Sequence, residues 1–200
     1  MADFNLDADE YLSETFAGLD RARSEIDGVL FEGCRFESCD FSEVVFRACS
    51  FIDCSFSSCN LSVADIGYSR FVDVRFEDCK LIGVDWTRGD WPRLVLHSPF
   101  EFRHCVLDGG SFFGMKLAGL VLERCRAQDV DFQQADLSRG NFSGTDFTHS
   151  QFGQTNLGRA NFCDATGYRI DINSNFIGKA RFSRLEALSL LDSLDIELLD

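Results

Sequence analysis

Every fifth residue of this chain is large and apolar, and for most of its length that residue is phenylalanine. One phase runs Phe16, Arg21, Ile26, Phe31, Phe36, Phe41, Phe46, Phe51, Phe56, Leu61, Ile66, Phe71, Phe76, Leu81, Trp86, Trp91, Leu96, with Arg21 its one polar member. The phase then slips by one residue and resumes as Phe102, Leu107, Phe112, Leu117, Leu122, Ala127, Phe132, Leu137, Phe142, Phe147, Phe152, Leu157, Phe162. With Phe182 included, 17 of the 21 phenylalanines lie on these two phases, so the period and not the overall composition dictates the architecture.

Two residues before most of the large positions stands a smaller one: Cys34, Cys39, Val44, Cys49, Cys54, Cys59, Ala64, Ser69, Val74, Cys79, Val84, and after the slip Cys105, Gly110, Cys125, Val130, Ala135, Gly140, Thr145, Ser150, Thr155, Ala160. Two inward positions separated by one outward position is the alternation of a strand. The other two residues of each five are polar or glycine and turn a corner. A five-residue period drifts around a 3.6-residue turn, which excludes an amphipathic helix. A strand this short must pair with the next winding of the chain, giving a β-solenoid with side chains laddered at about 4.8 Å. The sets Phe31, Phe51, Phe71 and Phe36, Phe56, Phe76 repeat at twenty residues, which predicts four sides of five residues each, with aromatic stacked on aromatic.

The alternation of small residue, polar, Phe or Leu, polar, polar resembles the pentapeptide-repeat family from about Phe16 to Phe182. The resemblance implies an all-β fold, a right-handed quadrilateral parallel β-helix. A narrower likeness lies in Gly83-Val84-Asp85-Trp86, in Ala180-Arg181-Phe182-Ser183 and in Ser193-Leu194-Asp195-Ile196-Glu197-Leu198. These segments resemble the quinolone-resistance and albicidin-resistance pentapeptide proteins, which interact with DNA gyrase. That likeness implies a homodimer joined through its C-terminal element, with gyrase and topoisomerase IV as candidate partners. In those relatives loops that interrupt the coil help engage the topoisomerase, which makes Arg93, His97 and Ser98, in the slip segment containing both prolines, candidate contacts; a bend that absorbs one extra residue explains the segment equally well.

Nineteen Lys and Arg against 33 Asp and Glu give a net charge of −14, which argues against direct nucleic-acid binding. An acidic rod can instead imitate the field of DNA, or be acidic merely for solubility. Folding at twenty residues places Glu25, Asp65 and Asp85 in one outward column, continued by Asp146 if the slip is a single inserted residue, and aligns Asp131 with Asp171 on a second side. Like charges stacked at strand spacing repel, so such columns are candidate partner-binding faces, although solvated faces also carry them.

Eight of the nine cysteines occupy the inward small position and read as packing thiols, with Cys163 set apart. Numerous free thiols, with no signal peptide and no apolar run of membrane length, suggest a cytoplasmic protein. His97, His104 and His149 show no ligand spacing, and no nucleophile stands beside a base, so neither a metal, a cofactor nor catalysis is expected.

The tail differs. Ser183 and Glu186 form a capping-box pattern ahead of Leu185, Leu188 and Leu191, predicting a short α-helix over 184–192, and Leu194, Ile196 and Leu198 alternate as in a strand. The expected organisation is a cover over 1–15, a coil over 16–182 and a capping and dimerisation element over 183–200. Two functional readings follow: a DNA mimic that shields gyrase from a poison such as a fluoroquinolone or albicidin, and a non-catalytic scaffold rod.

Overall fold

Phe31, Phe51 and Phe71 stand directly over one another, paired residue for residue in parallel strands. Their ring centroids are 5.0 Å apart in both steps, with planes within 8° and 14° of parallel. This is the geometry expected when identical side chains repeat at the spacing of neighbouring strands. The structure, a computed structural model describing residues 8–91, 98–194 and 196, is a four-sided parallel β-solenoid of about eight turns.

The first face is a sheet of Glu10–Leu12, Leu30–Glu32, Ser50–Ile52 and Arg70–Val72. The second joins Thr15–Ala17, Arg35–Glu37, Ser55–Ser57, Val74–Glu77, Phe100–Arg103 and Val121–Glu123. On the third and fourth faces the pairing is mostly by single bridges, such as Asp40 to Asn60 and Asp131 to Gln151. The local cause is chemical. Where Asp or Asn precedes the inward apolar residue, its carboxyl or amide oxygen accepts the backbone N–H two residues on, as in Asp40 to Ser42, Asn60 to Ser62, Asp131 to Gln133 and Asp146 to Thr148. That Asx turn bends the chain early and shortens the strand.

At each corner one residue takes a left-handed conformation. Glycine fills some of these places, including Gly83 at φ 71° and Gly144 at φ 69°, but Val63, Tyr68 and Arg139 accept it as well. The corner N–H donates to the next turn, as from Ser58 to Glu77 O at 2.9 Å, so each turn holds its neighbour in the conformation that L-residues resist.

The expected core is present: the aromatic and Leu columns are buried, from Phe16 through Phe162. The first aromatic layer begins earlier than the sequence suggested, because Glu10–Leu12 pairs with Leu30–Glu32 and Tyr11 stacks on Phe31 at 5.5 Å. The coil therefore includes part of the segment expected to be a cover.

The slip is not a one-residue insertion. Phe56 pairs with Phe76 twenty residues on, but Phe76 pairs with Phe102, twenty-six residues on, before Phe102 to Leu122 restores twenty. Six extra residues enter this turn, and the phase advances by one because six is one full repeat plus one. Phe100, which belongs to neither phase, pairs with Val74 and is buried at an inward small position. Trp91 closes over the same place, stacking on Phe71 at 6.0 Å and donating its Nε1–H to Trp86 O at 2.8 Å.

The coil ends where Phe182 stacks on Phe162 at 5.1 Å. Beyond it, Glu186–Ser193 is a 3₁₀ helix, not the expected α-helix. The capping box does not form because Ser183 Oγ is engaged elsewhere: it accepts the Asp164 N–H at 2.7 Å and lies 3.1 Å from Asp164 Oδ1. Leu194 and Ile196 form no strand; the Ile196 N–H donates to Leu194 O in a tight turn. Leu198 lies outside the described residues.

Candidate protein-interaction faces

The six-residue insertion re-sorts the acidic columns. On the fourth face Glu25 pairs with Val45 and Val45 with Asp65; Asp85 pairs with Ser111, Ser111 with Asp131 and Asp131 with Gln151. Asp131 thus continues the column of Glu25, Asp65 and Asp85, and Asp171 stands twenty residues beyond Gln151 at a turn where its carboxylate accepts the Asn173 N–H at 2.8 Å. Asp146 does not belong to this column. It lies on the third face, where the bridges run from Lys80 through Val106 and Arg126 to Asp146. Phase alone cannot distinguish one inserted residue from six, and five further residues rotate every later column by one face.

These carboxylates serve the fold as well as the surface. Asp65 accepts the Gly67 N–H and pairs with Arg88 at 2.9 Å, Asp85 accepts the Thr87 N–H and hydroxyl, and Glu25 faces Arg47 at 3.4 Å. Burial alone would raise the Asp146 carboxyl, but hydrogen bonds from Thr148 and Gln128 and the charge of Arg126 hold it below the usual carboxylate range. The backbone N–H of Asn173 and the Ser174 hydroxyl likewise lower Asp171.

Charge is divided along the rod. Among the described residues up to position 109, nine Lys and Arg oppose nineteen Asp and Glu, a net of −10. Those residues make about five turns, or about 24 Å of axis at strand spacing. One net negative charge per about 2.4 Å is close to the one per about 1.7 Å of duplex DNA. From 110 to 184 the balance reverses to nine against seven. The surface that resembles DNA electrostatically is therefore the N-terminal part.

Of the slip-segment candidates, Arg93 and His97 lie outside the described residues. Ser98 is half-buried and serves the strand that follows, accepting the Phe100 N–H at 3.3 Å and donating to Phe100 O at 3.1 Å. In the tail, Leu185 is 79% exposed, Leu188 52% and Ile196 53%, while Leu191 and Leu194 are intermediate and Leu190 packs against the core. The 3₁₀ segment thus covers the coil with Leu190 and presents apolar side chains outward.

One grouping escaped sequence reasoning because the insertion hid it. Glu77, Asp78 and His104 each bring a ligand atom within 4.8 Å of the others on the second face, all exposed, with His104 Nδ1 3.7 Å from Asp78 Oδ1. Asp78 and His104 meet across the twenty-six-residue step, so a twenty-residue fold would not bring them together. No helix among the described residues is long and apolar enough to cross a membrane.

The family model for the pentapeptide repeat region matches residues 29–109, and that for pentapeptide repeats matches 105–144 and 128–162. This chain belongs to the pentapeptide-repeat family. Among solved structures it is similar to full-length QnrB1, a plasmid-mediated fluoroquinolone resistance protein, at a TM-score of 0.56 and 18% identity over 94% of this chain and 100% of that one. A trypsin-treated point variant of QnrB1 matches at a TM-score of 0.57 and 18% identity, covering 96% of this chain and 100% of that one. No curated protein sequence matches the chain significantly. At this identity the likeness establishes a shared fold, a QnrB1-like pentapeptide-repeat solenoid.

Proposed function

We propose that this protein is a DNA mimic that binds bacterial DNA gyrase and protects it from a topoisomerase poison such as a fluoroquinolone or albicidin. The observation that carries this reading is the line charge of the N-terminal turns: a rigid rod with a net charge of −10 on about 24 Å presents a field close to that of the gyrase substrate. Glu25, Asp65, Asp85 and Asp131 form the partner-facing column, with Asp171 toward its C-terminal end. Asp146 contributes from the adjoining face. Leu185, Leu188 and Ile196 supply the apolar contact of a homodimer, an end-to-end arrangement that carries one acidic stretch toward each end. The match to QnrB1 over nearly the whole chain supports the resistance role. Gyrase and topoisomerase IV are bacterial cytoplasmic enzymes, so the protein acts in that compartment.

The test is a gyrase supercoiling and cleavage assay titrated with the purified protein, with and without ciprofloxacin or albicidin. Relief of poisoning at concentrations below those that inhibit supercoiling is the expected result. Inhibition without relief would leave a mimic with no protective role. No effect on gyrase or topoisomerase IV would transfer the assignment to a scaffold rod.

A further inference from the structure

On an acidic protein, one corner carries three stacked cations. The Arg139 N–H donates to Gly158 O at 2.8 Å and the Arg159 N–H to Gly178 O at 2.9 Å, so Arg139, Arg159 and Lys179 occupy the same corner of three successive turns. All three are exposed and take left-handed φ of 60°, 62° and 62°. Several other arginines are neutralised across turns, as Arg23 with Glu43, Arg103 with Glu123 and Arg126 with Asp108. None of the three stacked cations has an ion-pair partner among the described residues.

Beside this ladder the surface is hollow. The outward column that carries Glu32, Ile52 and Val72 earlier in the chain shrinks to Ser138, Gly158 and Gly178, leaving an open groove of about 400 Å³. Phe176 lies along it, 65% exposed, with its ring so close that a Cβ on Gly158 would meet it at 2.8 Å and one on Gly178 at 3.0 Å. Phe176 departs from the repeat: it pairs with Asn156 at an outward place where earlier turns carry Lys116 and Asp136. Asp136, the nearby carboxylate on that face, has its Oδ1 occupied by the Ser138 N–H and the Asn156 amide.

We propose that this groove binds a nucleoside polyphosphate, with the phosphates on Arg139, Arg159 and Lys179 and the base stacked on Phe176. Charge-assisted bonds from guanidinium to phosphate and stacking on an exposed ring are the two contacts that recognise this ligand class. The size selects a mononucleotide over a polymer. The ladder spans two turn spacings, about 10 Å, and the acidic turns that precede it repel a longer polyanion. This inference is independent of any action on gyrase.

The test is titration of the full-length protein with a fluorescent N-methylanthraniloyl-ATP at low salt, with displacement by ATP, pyrophosphate and a twelve-residue oligo-dT. Saturable one-to-one binding is expected, displaced by ATP and more weakly by pyrophosphate. R139E/R159E should weaken it about tenfold or more, since two charge-assisted contacts become repulsive. Phe176→Ser should weaken ATP while leaving the pyrophosphate constant unchanged, a split that a merely misfolded variant would not show. The altered side chains are exposed, and an unchanged circular dichroism melt verifies the fold. Absence of saturation at millimolar ATP, or equal affinity in R139E/R159E, would overturn the proposal. Tighter binding of oligo-dT than of ATP through the same residues would overturn the mononucleotide assignment.

Discussion

The backbone N–H of Cys39 donates to Sγ of Cys59, one turn away, at 3.4 Å. Cys59 in turn donates to Phe36 O at 3.3 Å. The thiol thus ties together a donor and an acceptor of the preceding turn; Cys79 and Cys125 repeat both bonds, and Cys105 repeats the one to the carbonyl, Phe76 O. Hydroxyls at Ser69 and Thr145 make the same two bonds: Ser69 accepts from Cys49 N and donates to Phe46 O, and Thr145 accepts from Cys125 N and donates to Leu122 O. A thiol or hydroxyl at this position thus adds two bonds to the packing the sequence suggested, while turns with Val44, Ala64 or Ala135 there keep the N–H bonded within the turn, to Phe41, Leu61 and Phe132 O.

Replacing Cys59 by Ser should therefore be tolerated, with a loss within about 1 kcal/mol, whereas Cys59→Ala leaves a buried N–H and carbonyl without their partner and should cost about 1–3 kcal/mol. Urea unfolding of the two variants in reductant measures the difference. Equal losses would show that the thiol acts by volume alone.

The same burial makes the thiols inert. With Ellman's reagent at pH 8 the folded protein should release one equivalent, from the half-buried Cys163, and all nine after denaturation. Rapid modification of more than one thiol in the folded state would contradict the ladder.

Stability should also fall in alkali. Burial pushes the Cys54 thiol up to about 12 from an ordinary 9.0, and hydrogen bonding of the protonated thiol toward the sulfurs of Cys105 and Cys125 respectively, with burial added, pushes Cys79 and Cys105 equally far. A group whose folded value is raised stabilises fully below its unfolded value and loses that contribution as pH climbs toward the folded one. The window here is pH 9 to about 12. Each such thiol can remove up to about 1.4 kcal/mol per pH unit, so unfolding midpoints at pH 7.5, 9 and 10.5 should be flat at first and then drop. A Cys54→Ser variant should show a shallower decline.

What is legible in the sequence is whatever depends on the period. Phe31, Phe51 and Phe71 announce their stacking because nothing interrupts them. Asp146 and Asp131 fall in the wrong columns because counting modulo five sees one extra residue where there are six. Asp78 and His104 stay apart for the same reason. Ser183 carries a capping signal that fails because Asp164, nineteen residues earlier, competes for its hydroxyl, a contact no local pattern encodes. Arg139, Arg159 and Lys179 are legible in principle, being spaced by twenty with no slip between them, but the acidity of the chain as a whole masks them.

Tyr168 offers a test in which a deletion should do no harm. Its hydroxyl is buried with no hydrogen-bond partner among the described residues, and burial raises it to about 12, with the charge of Glu186 adding to the effect. Tyr168→Phe removes a desolvated polar group while keeping the ring against Phe162 at 5.6 Å. The variant should be as stable as the parent or more stable by about 1 kcal/mol. A marked loss would mean that the hydroxyl has a partner in solution.

The decisive test of the acidic column separates its charge from its structural role. Asp65, Asp85 and Asp131 each accept a backbone N–H two residues on, a bond that an asparagine oxygen also makes, as Asn60 and Asn141 do here. Substituting Asp65→Asn, Asp85→Asn and Asp131→Asn together with Glu25→Gln removes four negative charges and preserves the turns. The melting temperature should stay within a few degrees, because exposed pairs such as Glu25 with Arg47 contribute at most about 1 kcal/mol. Protection of gyrase, if it works by imitation of the DNA field, should weaken at least about tenfold and become less sensitive to salt, since fewer charges contribute to the encounter. A fourfold-neutralised protein that still relieves poisoning at the parental concentration would remove the fourth face from the mechanism and leave the tail and the segment around Ser98 as the surfaces to examine.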